Sequence, residues 1–282
     1  MELISQIDLD DLLRRAIAED VGQGDITTAA TVPGGRRGRA RIVVKEAEMI
    51  LAGGMLIERV FAMTGAAPRI TSLAAEGARL RQGDLLAEID GLLAGLLTGE
   101  RVALNFVQLL SGIATVTRRF VEVVAGTRAR IVDTRKTHPG LRALEKYAVR
   151  TGGGHNHRFG LDSGILIKEN HIAAAGSVSA AIEGARSFAP HSFRVEIECE
   201  TLAQVEQARR AGADAMLLDN MALEDIRGAR AVAGETAILE VSGGVSLDTV
   251  RAIAETGVDI ISVGALTHSA RAVDISMSIE AV

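Results

Sequence analysis

Positive charge is concentrated in one stretch of the chain, residues 133–172. The stretch brings Arg135, Lys136, Arg158 and Lys168 together with four of the chain's six histidines: His138, His155, His157 and His171. The chain as a whole is acidic, with 31 Lys and Arg against 36 Asp and Glu, so the cluster departs from the background composition. Clustered cations are typical of a site that binds an anion. The alternative is a basic helix and loop that are exposed and have no function.

Two neighbouring features favour a binding site. Gly152, Gly153 and Gly154 lie inside the cluster, and a run without Cβ atoms lets the backbone approach a ligand closely. The cluster also begins directly after the β-branched run 129–132, and functional loops of α/β proteins follow strands in this way.

Acidic and glycine-rich segments further along the chain add a second kind of chemistry. Glu198 and Asp219 each end a predicted strand, where carboxylates can bind a divalent metal, directly or through water, or hold sugar hydroxyls. The segments 242–245 and 264–266 precede helical patterns and offer backbone N–H groups to a phosphate. These parts together predict a substrate that carries both carboxylates and phosphates, with Mg²⁺ between them.

The elements that position these residues repeat regularly in the second half of the chain. Strand patterns at 193–199, 215–218, 237–241 and 259–263 alternate with helical patterns at 202–211, 223–232 and 247–256. A repeat of roughly twenty residues is typical of βα units in a parallel sheet or barrel. Because the strand ends of such a unit open on one face, we expect their polar residues to converge.

The first part of the chain has a mixed α+β pattern. We predict a helix that Asp8 caps and Gly22 ends, then short strands and a helix at 56–63. A long amphipathic helix is predicted to open at Gly99 and to be interrupted at Ser111 and Gly112. The fold class is therefore α/β, with an N-terminal domain at 1–112, an α/β-barrel domain at 113–270 and a final strand at 271–282 that packs back on the first domain.

Composition excludes several classes of protein. Hydrophobic residues make up 48% of the 282 residues and aromatic residues only 2%, which predicts an aliphatic core of the kind found in parallel sheets. The single cysteine, Cys199, excludes an intrachain disulfide, and we place it inside a strand instead of in a nucleophilic site. With no signal pattern or membrane-length apolar run, we predict a cytoplasmic protein. The net charge of −5 argues against nucleic acid as a partner.

Several long motifs, in the same order, resemble the quinolinate phosphoribosyltransferase family, the carboxylating nicotinate-nucleotide pyrophosphorylases. The motifs that carry the resemblance are Asp133-Thr134-Arg135-Lys136-Thr137, Gly152-Gly153-Gly154-His155-Asn156-His157-Arg158, Leu166-Ile167-Lys168-Glu169-Asn170-His171-Ile172 and Val263-Gly264-Ala265-Leu266-Thr267-His268-Ser269. Weaker signs lie around Glu19-Asp20 and Gly99-Glu100-Arg101. A set of long motifs is far more specific than any lone glycine pattern.

The resemblance implies a fold, a reaction and a set of partners. The fold is an N-terminal α/β sandwich joined to an incomplete TIM-like α/β barrel. The reaction joins quinolinate to phosphoribosyl pyrophosphate, with Mg²⁺ as cofactor, and gives nicotinate mononucleotide, pyrophosphate and CO₂ for NAD synthesis. The resemblance also implies a homodimer or larger assembly in which Arg101 reaches the site of the partner subunit; taken alone, the spacing of Arg101 and Asn105 is equally that of a surface pair.

Site residues follow from the resemblance by position. Residues expected to hold quinolinate are Arg101, Thr134, Arg135, Lys136, His157, Arg158 and Lys168. Residues expected to hold phosphoribosyl pyrophosphate are Lys136, Lys168, Glu198, Asp219, Ser242, Gly243, Gly244, Gly264, Ala265 and His268. Among these, Lys136, Glu198 and Asp219 are expected to be catalytic, and the two carboxylates are expected to bind the Mg²⁺.

Three other interpretations stay open at this point. A related barrel protein of the molybdenum-transport-associated type shares the Thr-Arg-Lys-Thr and triple-glycine stretches. Lys136 or Lys168 at a strand end could instead be the Schiff-base lysine of an aldolase. A protein without catalytic function is the third class. For His171 and His268, the alternative to ligand contact is a structural histidine in the core or at a helix end.

Overall fold

The computed structural model describes residues 6–281 of the chain. Residues 1–5 and 282, which the predicted domain boundaries include, lie outside the described residues. The chain forms two compact units. The first runs to Arg118 and also contains 138–153 and the chain from Ser269 onward, and the second contains 119–137 and 154–268. The predicted boundaries at 112 and 270 remain a prediction.

Helices and strands alternate along most of the described chain. The helices are α1 Gln6–Val21, α2 Ile26–Thr31, α3 Met55–Met63, α4 Leu93–Val123, α5 Arg142–Thr151, α6 Glu169–Ala175, α7 Val178–Phe188, α8 Leu202–Arg210, α9 Leu223–Ala233, α10 Val250–Ala254 and α11 Ala265–His268. The strands are β1 Arg37–Val44, β2 Glu48–Ile50, β3 Arg69–Leu73, β4 Arg79–Arg81, β5 Leu85–Leu92, β6 Arg130–Val132, β7 Ile165–Ile167, β8 Val195–Cys199, β9 Ala215–Asp219, β10 Ile238–Ser242, β11 Ile260–Ser262 and β12 Ile275–Ala281.

The first unit contains a four-stranded antiparallel sheet in the order β12-β1-β5-β3. Its central strand β1 alternates as expected for a sheet with one buried face: Ala40, Ile42 and Val44 are fully buried, and Arg39 and Arg41 lie on the opposite face. The end of the chain completes this sheet, because β12 pairs with β1 along seven residue positions, from Gly38 opposite Ala281 to Val44 opposite Ile275.

The long helix differs from the prediction in two ways. It begins at Leu93 instead of Gly99, and it continues without interruption through Ser111 and Gly112. Ser111 and Gly112 do not break the helix but make packing contacts with other parts of the first unit. The Ser111 hydroxyl accepts a hydrogen bond from the Ala52 N–H at 3.0 Å, and a Cβ at Gly112 would lie 2.1 Å from the Arg271 carbonyl oxygen. A glycine here permits close backbone contact, and the surrounding α4 turns hold the helical conformation.

The N-terminal cap was also misplaced. Asp8 lies within the first turn of α1 instead of before it, whereas the helix does end at Val21, before Gly22 with φ +54°. Asp25 is an N-cap, of α2: its Oδ1 accepts a hydrogen bond from the Thr28 N–H at 2.9 Å. Hydrogen bonds from Thr28 lower the pKa of the Asp25 carboxyl.

The second unit contains six parallel strands in the order β6-β11-β10-β9-β8-β7. The central strand β9 is buried from Ala215 to Leu218, as expected for a strand covered on both faces. Six strands are fewer than the eight of a complete α/β barrel. The predicted α/β fold class and parallel sheet are confirmed. Among residues 6–281, no helix combines the length and the low polarity that crossing a bilayer requires.

Candidate active site

A cavity of about 620 Å³ lies at the carboxyl ends of the parallel strands of the second unit. Arg135, Arg158, Lys168, Glu198 and Asp219 all line it. The same lining includes most of the other residues expected at the site: Thr134, Lys136, His157, Ser242, Gly243, Gly244, Gly264, Ala265 and His268. The convergence expected from the strand repeat is therefore present in this cavity.

Arg101 is the one predicted site residue that is absent from this lining. It lies in the first unit on α4 and its side chain is exposed.

A cation and an acid meet at the ends of two neighbouring strands. Lys168 directly follows β7, and its Nζ donates a hydrogen bond to Oε2 of Glu198 on β8. The Glu198 side chain is buried, while that of Lys168 is 45% exposed to the cavity and solvent. The pair keeps a carboxylate and an ammonium group together, so that both are available to a ligand with mixed charge.

Arg158 is a partly buried cation of the same cavity. Its Nη1 donates to the Gly164 carbonyl at 3.0 Å, and its Nε lacks a hydrogen-bond partner. Burial, and then the charge of Arg135, lower the pKa of the Arg158 guanidinium. Two arginines that repel each other in a partly desolvated site are stabilised when an anion binds between them.

The loop after β10 has a backbone conformation that requires glycine. Gly243 has φ +89°, and a Cβ on it would lie 2.2 Å from Oδ1 of Asn220. Asn220 also has a positive φ, +53°, and its Nδ2 donates to Oδ2 of Asp219 at 2.8 Å. The glycine backbone of this loop therefore lies close to the Asp219 carboxylate at the end of β9. Backbone N–H groups can bind a phosphate there, and the carboxylate can bind the hydroxyls of an attached sugar.

A second loop supports Lys136. The Thr267 hydroxyl on α11 donates to the Lys136 carbonyl at 2.7 Å. A Cβ on Gly264 would lie 3.2 Å from both the His268 ring and Cδ of Lys136. The loop after β11 and the segment after β6 are thus joined in one wall of the cavity.

Only one of the four histidines in the basic stretch lines this cavity, and that is His157. His138 is bonded at Nδ1 to Oε1 of Glu145 at 2.5 Å, within the first unit. His171 caps the start of α6, because its Nδ1 accepts from the Lys168 N–H at 3.0 Å. His171 is therefore a structural histidine at a helix end, whereas His268 lies in the cavity lining.

Sequence reasoning missed a group of polar residues inside the sheet. Glu196 on β8 and Glu240 on β10 lie 3.4 and 3.5 Å from Nε2 of His157. Glu240 is only 2% exposed, and its Oε1 has no hydrogen-bond partner. Burial, and then the charge of Glu196, raise the pKa of Glu240 to about 8. The signal that could have revealed it is a glutamate inside the aliphatic strand β10.

These three residues have the composition of a metal site, but the hydrogen bonding of the histidine disfavours one. The ligand atoms of His157, Glu196 and Glu240 lie within 4.8 Å of one another. However, Nδ1 of His157 accepts a hydrogen bond from the Arg158 N–H at 2.7 Å. A neutral imidazole whose Nδ1 accepts must carry its proton on Nε2, so Nε2 points an N–H, instead of a lone pair, at the two carboxyl groups.

Cys199 is buried at the end of β8, as expected for a structural cysteine. Burial, with a contribution from Glu198, raises the pKa of its thiol to about 12. Because the thiolate is the nucleophilic form, this cysteine is unsuited to nucleophilic catalysis.

Fold and cavity together define a class: a parallel α/β protein with a site of mixed charge, suited to a polyanionic ligand, at the carboxyl ends of its strands. Comparison with known proteins narrows this class. Residues 25–111 match the model of the quinolinate phosphoribosyl transferase N-terminal domain, and residues 113–278 match the model of the C-terminal domain.

Relatives and solved structures agree with this match over nearly the whole chain. A Bacillus subtilis protein named probable nicotinate-nucleotide pyrophosphorylase (carboxylating) is 44% identical over 276 residues, which are 98% of this chain and 95% of the relative. The nicotinate-nucleotide pyrophosphorylase (carboxylating) of Mycobacterium leprae is also 44% identical, over 95% of this chain and 96% of its own. The crystal structure of NadC from Streptococcus pyogenes superposes with a TM-score of 0.95 at 42% identity and covers 99% of both chains. The chain belongs to the quinolinate phosphoribosyl transferase family.

Proposed function

We propose that this protein transfers the phosphoribosyl group of phosphoribosyl pyrophosphate to the ring nitrogen of quinolinate and removes one carboxylate as CO₂. The products are nicotinate mononucleotide, pyrophosphate and CO₂, as in NAD synthesis. The observation that carries the proposal is the gathering of Arg135, Arg158, Lys168, Glu198 and Asp219 in one cavity of a chain that belongs to this family. The relatives reported above are named as nicotinate-nucleotide pyrophosphorylases, which favours this reaction over the molybdenum-associated and aldolase alternatives.

Quinolinate is a dianion, and its binding requires cations that are already in position. Arg135, Arg158 and Lys168 hold its two carboxylates, with Thr134, Lys136 and His157 in the same part of the lining. Arginine can bind a carboxylate with two parallel hydrogen bonds, whereas lysine offers a point charge. The partly desolvated Arg158 is stabilised by the incoming anion, so binding energy comes from relief of the repulsion between Arg158 and Arg135.

The phosphoribosyl group lies between the carboxylates and the glycine loops. Glu198 and Asp219 hold the ribose hydroxyls, and the loops at 242–244 and 264–265 hold the 5′-phosphate with His268. Positive charge develops on the ribose as pyrophosphate leaves, and the two carboxylates stabilise that charge. Lys136 and Lys168 balance the negative charge of the departing pyrophosphate. The attacking pyridine nitrogen has its own lone pair, so its attack needs no general base.

Glu198 and Asp219 also fit a magnesium ion. Mg²⁺ prefers oxygen ligands, and it usually takes one or two carboxylates together with waters and substrate phosphates. Two carboxylates at neighbouring strand ends, beside the proposed phosphate loops, supply that donor set. When bound, the ion would neutralise charge on the pyrophosphate.

The proposed assembly is a homodimer or larger, in which Arg101 acts in the site of the partner subunit. The support for this role is its position on an exposed part of α4 and its place in the family motif. A mixture of two inactive variants, Arg101→Ala and Asp219→Ala, tests it, because one restored site per hybrid dimer is expected. Activity that stays at the level of the separate variants would contradict a role across the interface.

The direct test is an assay with the purified protein, quinolinate labelled at the 2-carboxylate, phosphoribosyl pyrophosphate and Mg²⁺. Labelled CO₂ and pyrophosphate are expected in equal amounts, and release of either should require all three additions. Nicotinate in place of quinolinate serves as the control, because it lacks the carboxylate that is lost. Absence of CO₂ and pyrophosphate under these conditions would refute the proposed function.

A further inference from the structure

The proposed reaction needs one chemical group that the residues assigned above do not provide. When the carbon next to the ring nitrogen loses CO₂, it keeps the electron pair of the broken bond. That carbon must then gain a proton to become the C–H of nicotinate mononucleotide. The cations of the cavity are occupied with anions, and Lys168 is bonded to Glu198. The proton must therefore come from another acid, either a further side chain or water.

We propose that Glu240 is this acid and gives its carboxyl proton to the ring carbon that has lost CO₂. The inference rests on the proposed function and adds a catalytic residue to it. Bonds balance as follows: the bond from the ring carbon to the carboxylate breaks, its electron pair takes the proton from the Glu240 O–H, and a C–H bond forms. CO₂ leaves, and Glu240 becomes a carboxylate.

The position of Glu240 fits this role. It lines the same cavity as Arg135, His157 and Arg158, the residues proposed to hold the quinolinate carboxylates. Its Oε1 lies 3.5 Å from Nε2 of His157, so a substrate held by the His157 and Arg158 segment lies next to the Glu240 carboxyl group. Oε1 is buried and has no hydrogen-bond partner in the protein, while the carboxyl group as a whole is hydrogen-bonded to Ser262 and Glu196.

The surroundings of Glu240 keep it protonated at neutral pH. Its side chain is 2% exposed, and burial disfavours the carboxylate form. The titratable and charged groups around it are Glu196 from β8 and His157 and Arg158 from the segment before β7, while β11 contributes the uncharged Ser262. The nearest charge of the same sign, Glu196, favours the neutral acid further. A neutral acid also avoids repelling the dianion from the floor of its site.

A route for returning the proton is present on the other side of Glu240. A second cavity of about 400 Å³ is also lined by Glu240, together with Glu196, His157 and Asn156. Glu240 thus lines both the proposed substrate cavity and this second cavity. After each turnover, the Glu240 carboxylate can take a proton from water in the second cavity while product still fills the first.

The test is Glu240→Gln, which keeps the size of the side chain and removes the proton. We expect pyrophosphate release to continue while CO₂ release slows by about 100-fold, the low end for general acid catalysis. The undecarboxylated mononucleotide should then accumulate, detected by mass spectrometry, and the quinolinate Kd should change less than about threefold. Glu145→Gln is the matched control: Glu145 is also buried with a raised pKa, but lies in the first unit outside the cavity lining. Its ratio of CO₂ to pyrophosphate should equal that of the wild type.

The outcomes separate the two proposals. If Glu240→Gln releases CO₂ and pyrophosphate one to one at the wild-type rate, Glu240 is not the donor. If the wild type releases neither, the proposed function itself fails. If Glu240→Gln does not fold, the role of Glu240 is tested by measuring the single-turnover rate of decarboxylation by the wild type as a function of pH. Decarboxylation by a Glu240 donor should fall about tenfold per pH unit above the pKa, and a flat profile from about pH 6 to 9.5 would overturn the proposal.

Discussion

Glu240→Gln also gives a stability prediction that is independent of any catalytic activity. The pKa of Glu240 is raised from 4.5 to about 8 in the folded protein, chiefly by burial. In the unfolded chain the carboxyl group loses its proton at its ordinary pKa. The folded state therefore binds one more proton than the unfolded state between these two pKa values, and the stability of the wild type falls as pH rises through that range.

The size of the effect follows from the two pKa values. At about 1.4 kcal/mol per pKa unit, the interval from 4.5 to about 8 corresponds to a loss of about 5 kcal/mol, of which about 4 kcal/mol falls between pH 5 and pH 8. Glutamine has no proton to lose, so the Glu240→Gln variant lacks this loss. Relative to the wild type, the variant should become more stable by that amount on going from pH 5 to pH 8.

Urea unfolding followed by far-UV circular dichroism is the assay, because the chain has no tryptophan. The free energy of unfolding is measured for both proteins at several pH values in this range. Glu224→Gln, the same substitution at a side chain that is 86% exposed, controls for the chemistry of the change. If the difference between Glu240→Gln and the wild type does not change between about pH 5 and pH 8, the buried neutral acid at Glu240 is refuted.

Three further predictions concern the cavity. Arg135→Lys should raise the quinolinate KM by about tenfold or more with a smaller effect on kcat, because lysine cannot form the two parallel hydrogen bonds; an unchanged KM in steady-state kinetics would remove Arg135 from the binding set. Lys168→Met leaves the buried Glu198 without its cation and should weaken quinolinate binding by about tenfold, measured by calorimetry, and equal affinity would contradict the role of Lys168. Gly243→Ala should destabilise the protein by about 1–2 kcal/mol and weaken phosphoribosyl pyrophosphate binding, because alanine is strained at φ +89° and its Cβ meets Asn220; unchanged thermal stability and Kd would show that the loop adapts.

The amino-acid sequence alone predicts the βα repeat of the second unit and the strand ends that carry the site residues. Strand and helix patterns after residue 193 predicted the βα repeat, because aliphatic strands covered on both faces leave a strong local signal. The same sequence placed Glu198, Asp219 and the glycines at strand ends, and in a parallel sheet those ends must lie on one edge. For that reason the sequence alone predicts that Arg135, Arg158, Lys168 and the two carboxylates share one cavity.

Local patterns failed where contacts distant in sequence decide the outcome. Gly112 looked like a helix break, but it permits contact with the backbone at Arg271, more than 150 residues later, and the helix continues. The sequence also suggested that the basic stretch forms one site, but not all of its histidines line the cavity. His138 and His171 form hydrogen bonds with neighbouring protein groups instead.

Glu240 shows what only the tertiary structure could decide. In the sequence it is one glutamate in an aliphatic strand, and nothing local specifies its neighbours. The parallel sheet places β8 near β10, and the segment before β7 brings His157 beside both strands. Burial and a neighbouring carboxylate then raise its pKa, since the energy of a charge depends on how much water and which charges surround it. Those surroundings exist only after the chain has folded.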